Sequence, residues 1–244
     1  MTDVDLWPGA PDLVGLVDLC YRVTVGESGR PVLPDGRAGL VWLSDGTLRV
    51  CGPETRAWRP PRSGVQAVGL RLGLAAVPAV LGVPAYVLTD RRVLLADLWG
   101  SAARELSDRL GRAVEPAEQA EVLQDAVRAR GVVVGQLDPV AQFVAARMAG
   151  GRARVDELAA DLHLSPRQLR RRCAVAFGYS PVFLARLSRL HRFLRVAGTA
   201  GPGMSLADVA AVAGFADQAH LNRESRALTG QLPSVFLGTN TWSR

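Results

Sequence analysis

The spacing of apolar and polar residues changes partway along the chain. Up to about residue 97 the period is two. Residues 21–25 (YRVTV) alternate, and 39–43 (GLVWL) and 47–51 (TLRVC) flank a Ser44-Asp45-Gly46 turn that predicts a hairpin. Residues 67–72 (AVGLRL) read as a further strand, and Gly and Pro interrupt these runs at short intervals, as in a small sandwich or barrel. From 97 the spacing becomes helical. Leu98, Ala102, Leu106 and Leu110 fall nearly in register over 97–113. Glu115-Pro116 opens a second helix through about Arg130, with Val122, Leu123, Ala126 and Val127 on one face. The segment 131–137 (GVVVGQL) then separates the two halves.

Beyond it the whole pattern is helical. Asp138-Pro139 caps a helix that stops at Gly150-Gly151, and Asp156 and Glu157 sit in the first turn of the next, where carboxylates suit the helix dipole. Ser165-Pro166 is an N-cap and N1 pair, and Gln168 completes a capping box. Leu169, Cys173 and Phe177 follow at i, i+4 and i+8 as a buried face, and Gly178 ends the helix. Ser180-Pro181 opens a long helix through about Val196, with Leu184, Leu187, Leu190 and Leu194 inward and a loop over 198–203. The pattern then repeats. Leu158-Ala159 returns as Val209-Ala210. Ser165, Leu169, Arg171, Gly178 and Pro181 return as Asp217, Leu221, Arg223, Gly230 and Pro233, with one extra residue in the second turn near Gly214-Phe215. Each unit is a short helix, a tight turn, and a second helix with a polar outer face, which is helix-turn-helix geometry twice over.

Charge sharpens this picture. The net charge is +6 with a pI near 10.2, which suits an acidic partner. Every one of the 29 basic residues is arginine, a coding bias that carries no functional weight, but their placement does. Residues 1–137 carry net −1 and residues 138–244 net +7; between Asp161 and Asp208 there are eight arginines and no acid. The three cysteines are widely spaced with no CxxC, so neither a disulfide framework nor a zinc knuckle is expected. The N-terminus shows no signal-peptide pattern. The uncharged stretch 72–89 is broken by Gly73, Pro78, Gly82 and Pro84, so it reads as a buried strand, helix and turn in a cytoplasmic protein and not as a membrane span.

The segments VDELAADLHLSPRQLRRRCAVAFGYSP and SLADVAAVAGFADQAHLNRESRALTGQLPSVF resemble the two helix-turn-helix units of the AraC/XylS family of bacterial transcription regulators. The resemblance covers roughly 138–240. The first half of the chain, with LPDGRAGLVWLSDGTLRVCGPETRAW, is similar to a sensor-like N-terminal domain attached to some members of that family. It implies an α+β chain: a β-rich, sandwich- or barrel-like regulatory domain with trailing helices over 1–135, then an all-α seven-helix DNA-binding domain over 138–240. The first helix-turn-helix is expected at 155–178 and the second at 206–230. Two departures stand out. The family usually has a large apolar residue where this chain has Cys173 and Ser225, and Ser225 is expected to bury a hydroxyl or leave a shallow void.

In such a fold the second helix of each unit enters a major groove, and the helix from 181 to 196, about 24 Å long at 1.5 Å per residue, is the spacer. Arg167, Gln168, Arg170 and Arg171 are the expected base readers of the first unit, and Gln218, His220, Asn222 and Arg223 those of the second. Arg and Gln offer bidentate pairing to guanine and adenine. Arg172, Arg186, Arg189 and Arg226 are the expected phosphate contacts. Arg171 and Arg223 have a competing reading as structural ion-pair partners, His163 reads as a packing residue, and His191 reads as a neutral surface or seam residue. In the N-terminal half, Trp42, Trp58, Arg71 and Tyr86 are candidate ligand-pocket residues, against the plainer reading of the aromatics as core. The expected partner is double-stranded DNA. A small-molecule effector, RNA polymerase and a second copy of the chain are further candidates, with no membrane and no cofactor.

Enzyme chemistry has little support. The first histidine is His163, so residues 1–162 hold no His-metal site, and no P-loop, HExxH or Gly-x-Ser-x-Gly occurs. The alternative reading is a scaffold that binds nucleic acid without sequence preference and uses its front half for protein contacts.

Overall fold

The computed structural model describes residues 4–25, 31–60, 64–149, 154–200 and 204–236. The chain has the expected α+β division. Six strands form one antiparallel sheet: β1 (Asp5–Pro8), β2 (Val17–Thr24), β3 (Gly39–Leu43), β4 (Leu48–Cys51), β5 (Gln66–Leu72) and β6 (Arg92–Leu94), in the order β1-β2-β5-β3-β4-β6. The strand expected at 21–25 begins earlier, at Val17, because β5 extends its pairing down to Leu72. The β3–β4 hairpin closes at Gly46, whose φ of 86° is open to glycine without strain. Tyr21 lies directly opposite Gly69 on β5, where a side chain would collide with the tyrosine ring.

Helices cover one side of this sheet. After α1 (Val77–Leu81) and a single turn at Ala85–Val87 come α2 (Ala96–Trp99), α3 (Ser101–Arg112) and α4 (Pro116–Arg128). The helix expected over 97–113 is therefore two pieces. Gly100 adopts φ 59° and ψ −128°, which resets the register so that Ala103 is buried with Leu106 and Leu110 while Ala102 faces outward. Leu106, Leu110, Leu123 and Val127 join Cys20, Leu40, Val50, Val68, Leu70 and Leu72 in one core. Much of the uncharged stretch 72–89 is spent in this core, and among the described residues no helix is long and apolar enough to cross a membrane.

The second half is helical throughout: α5 (Pro139–Ala149), α6 (Val155–Asp161), α7 (Pro166–Phe177), α8 (Pro181–Thr199), α9 (Leu206–Ala213), α10 (Gln218–Thr229) and α11 (Pro233–Phe236). The stop expected at Gly150-Gly151 lies outside the described residues. α8 runs one turn further than expected, to Thr199, because the Thr199 hydroxyl turns back to the carbonyls of Arg195 and Val196 and Gly198 is absorbed into the helix. Two cores flank it. Leu184 and Leu187 pack with Leu158, Leu169, Cys173 and Phe177, and this cluster reaches Ala75 in the N-terminal half. Leu190, Phe193 and Leu194 pack with Val209, Ala210, Ala213, Phe215, Leu221 and Leu228. One helix thus serves as a strut for both repeats.

Candidate nucleic-acid interface

Local hydrogen bonds build each unit. In the first, Ser165 Oγ accepts from the Gln168 N–H at 3.3 Å, and Gln168 Oε1 accepts from the Ser165 N–H at 2.9 Å, closing the capping box before α7. In the second, Asp217 caps α10 through the His220 N–H. Gly178 and Gly230 end the two helices in the same left-handed conformation, at φ 78° and 72°. The turns match as well. The N–H of Leu164 donates to Ala159 O and that of Phe215 to Ala210 O, so α6 and α9 end in the same way. His163 occupies, at φ 51°, the left-handed position that Gly214 fills at 94°. His163 is therefore an exposed turn residue and not the packing residue its sequence position suggests. The extra residue of the second turn is Ala216. Its N–H donates to His220 Nδ1 at 3.3 Å, while the His220 ring stands edge-on to Phe215.

The outward faces divide the expected readers into two sets. Arg167, Arg170 and Arg171 on α7 and Gln218, Arg223 and Arg226 on α10 are exposed, and the guanidinium groups of these five arginines have no partner among the described residues. For Arg171 and Arg223, the described residues thus supply no ion-pair partner. Asn222 is partly exposed. Gln168 and His220 are exposed and half-buried, respectively, but each already uses one polar atom to hold its own helix start: Oε1 for Gln168 and Nδ1 for His220. Among the expected phosphate contacts, Arg172 pairs with Asp138 at 2.8 Å and Arg186 with Glu224 at 2.7 Å. Phosphate must compete with those carboxylates. Arg189 is half-buried on α8, with its Nε out of solvent. Ser225 is fully buried and its hydroxyl has no partner among the described residues.

The four ligand-pocket candidates do not converge. Trp42 belongs to the sheet core, Trp58 lies under the Arg92 guanidinium at 3.7 Å, and Tyr86 is 54% exposed. Arg71 alone lines the cavity of about 400 Å³ that opens between the two halves. Its walls come from β2, residues 32–37, the end of α5 and the α8 face carrying Leu184, Leu187, Ser188, His191, Leu194 and Arg195. Arg71 pairs there with Asp35, and Arg37 with Asp18. His191 lies at the seam, as its position suggests, with Nε2 at 2.7 Å from Pro34 O. Burial pushes its pKa down to about 4, aided by Arg37, Arg71 and Arg195 and opposed by the Pro34 carbonyl. The ring is therefore neutral at neutral pH and donates from Nε2. No sequence signal marked residues 32–37 or Ser188 as cavity walls, because they meet only in the fold. Among the described residues, no cluster of His, Cys, Asp and Glu is placed to hold a metal.

Two capped helices, each the second of a helix-turn-helix and each presenting cations unpaired among the described residues, belong to a DNA-binding protein of the transcription-regulator class. Residues 158–239 match a helix-turn-helix domain family, and the C-terminal domain of this chain is an AraC-type helix-turn-helix domain. No curated protein matches the chain. Solved structures similar to it include ToxT from Vibrio cholerae O395, 11% identical over 99% of this chain and 98% of that one with a TM-score of 0.46. They also include unsaturated fatty acid bound wild-type ToxT from Vibrio cholerae strain SCE256, 12% identical over 99% and 95% with a TM-score of 0.47.

Proposed function

We propose that this regulator recognises a specific DNA site by placing the N-terminal turns of α7 and α10 in successive major-groove segments. Arg167, Arg170 and Arg171 read one segment, and Gln218, Asn222 and Arg223 read the other. Gln168 and His220 contribute through the atoms their caps leave open. Arg226 holds phosphate, and Arg172, Arg186 and Arg189 join it where the backbone approaches closely enough to compete with their present neighbours. The observation that carries this reading is the set of five exposed arginines, without partners among the described residues, on two equivalent helices. At 19 residues, α8 is about 28 Å long, a rigid spacer close to the ~34 Å repeat of B-DNA.

The N-terminal half supplies regulation. A small molecule in the interdomain cavity would touch α8, the strut on which both units pack, and so would favour one presentation of the two reading helices over another. The deciding experiment is selection of bound duplexes from a random DNA pool, followed by binding to base-substituted versions of the winning site. Each substituted base pair is expected to weaken binding by ~1–3 kcal/mol. Equal affinity for all duplexes would make the chain a sequence-indifferent nucleic-acid scaffold instead.

A further inference from the structure

Between β4 and the next bridge, residues 53–58 leave the sheet and cross to the helical half. They touch both reading units there. Tyr179, immediately after the Gly178 stop of α7, donates its hydroxyl to Glu54 O at 2.6 Å. The Ala57 N–H donates to Leu228 O, in the last turn of α10, at 2.7 Å. Beside the first contact, Thr89 Oγ1 donates to Gly178 O at 3.1 Å. A single segment is thus bonded at the C-terminal ends of both reading helices, the ends away from the capped tips.

The segment is itself held from below by the turn before β6. Glu54 is ion-paired with Arg92. The Thr55 N–H and hydroxyl both donate to the Asp90 carboxylate at 2.6 Å, and Asp90 keeps a left-handed φ of 56°. Arg92 also stacks on Trp58, whose backbone pairs with Val32. Gly52 has no room for a side chain against the Leu88 carbonyl. These bonds leave the segment little freedom to follow one helix without the other.

We propose that residues 53–58 form a strap that fixes the separation and orientation of α7 and α10, with Arg92 as the positioning residue that keeps the strap in place. The strap is a second tie between the units, independent of α8, and it links their spacing directly to the sheet. It rests on the two-helix reading above, and the test separates the two ideas.

The full chain and its Tyr179→Phe, Arg92→Met and Arg92→Lys variants are each used to select from a random duplex pool. Wild type is expected to enrich a two-part site with one sharp spacing. Tyr179→Phe keeps the ring against Phe183, so the fold survives, but it frees α7 from Glu54. Tyr179→Phe and Arg92→Met are expected to enrich the same two half-sites over a spread of spacings. Affinity for the wild-type spacing should fall by about 3–10-fold, the equivalent of one or two hydrogen bonds. Affinity for a duplex carrying either half-site alone should stay unchanged. Arg92→Lys, which keeps a cation beside Glu54, should narrow the spread again. Retention of one sharp spacing by both Tyr179→Phe and Arg92→Met overturns the strap, as does an equal loss on full and half sites. A wild-type selection with no motif overturns the two-helix reading and the strap with it.

Discussion

The two helix-turn-helix units have the same frame and opposite temperaments. Aligned through their caps, α7 carries Arg167, Arg170 and Arg172 where α10 carries Ala219, Asn222 and Glu224. The third pair is tied down on both helices with the charges reversed: Arg172 to Asp138 at the start of α5, and Glu224 to Arg186 on α8. Inside, Cys173 and Phe177 of the first unit correspond to Ser225 and Thr229 of the second, all four buried. The first unit is therefore apolar within and strongly cationic without. The second is more polar within and milder without. On the proposed reading, the shared frame suits its first copy to charge-driven grip and its second to softer contact.

The largest expected effects test the frame itself. Leu169 and Leu221 are equivalent and fully buried, so Leu169→Ala and Leu221→Ala should each cost ~2–5 kcal/mol in denaturant unfolding. The consequences should differ. The core around Leu169 continues into the N-terminal half through Ala75, so its loss should lower a single shared transition. The buried core around Leu221 comes from α8 to α10, the turn included, and meets the N-terminal half at the partly buried Leu33 and the Ala57–Leu228 bond, so its loss should loosen that unit ahead of the rest, visible as early hydrogen exchange concentrated in 206–229. Coincident melting in both variants would make the units energetically equivalent despite their different cores.

Next in size are the readers. Arg170→Ala should weaken binding to the selected site by ~1–3 kcal/mol and relax preference at one base pair, the expected result of losing a bidentate contact. Asn222→Ala, at the equivalent position, should cost less, because Asn222 is only partly exposed and uncharged. A larger loss at Asn222 would reverse the assignment of grip to the first unit. Arg226→Ala should act on all duplexes alike and reduce the slope of log affinity against log salt by about 0.9, the share of one phosphate. A slope that does not change would take Arg226 out of the interface.

The units were legible in the sequence because their determinants are local. Ser165 with Gln168, Asp217 and the two stop glycines act within three or four residues, and their recurrence at a fixed offset supplied the confirmation that one cationic helix lacks. The capping box of Ser205 with Asp208 is equally local, a Ser three residues before an acid and just ahead of Val209, although the repeat does not depend on it. The edge strands were not legible. β1 and β6 have four and three residues, too few to show a period, and exist because β2 and β4 offer edges to pair with. The arginines that face solvent could be expected from the pattern. Which ones are already paired could not, because Asp138 lies 34 residues from Arg172 and Glu224 lies 38 from Arg186. The cavity and the 53–58 segment depend on contacts as distant as the 125 residues between Glu54 and Tyr179, beyond the reach of any local pattern.

The finest test of the contrast is an exchange at its centre. Cys173 and Ser225 sit at the same point of the repeat, each fully buried one turn after the anchoring leucine. Burial pushes the Cys173 thiol up to about 12, so it stays neutral and packs as a small hydrophobe, and a weak donor loses little without a strong partner. A hydroxyl in that setting loses its water and gains nothing, which is the position of Ser225. Ser225→Ala deletes the stranded group at the expense of one small atom and should raise stability by about 1 kcal/mol, read as a higher melting midpoint. Cys173→Ser places the same stranded group in the first unit and should lower stability by a similar amount. If Ser225→Ala destabilises, the hydroxyl has a use that its surroundings do not show, and the second unit is not the softer of the two. If both substitutions shift the midpoint as expected, the polar core of the second unit is a standing cost in stability that its fold tolerates.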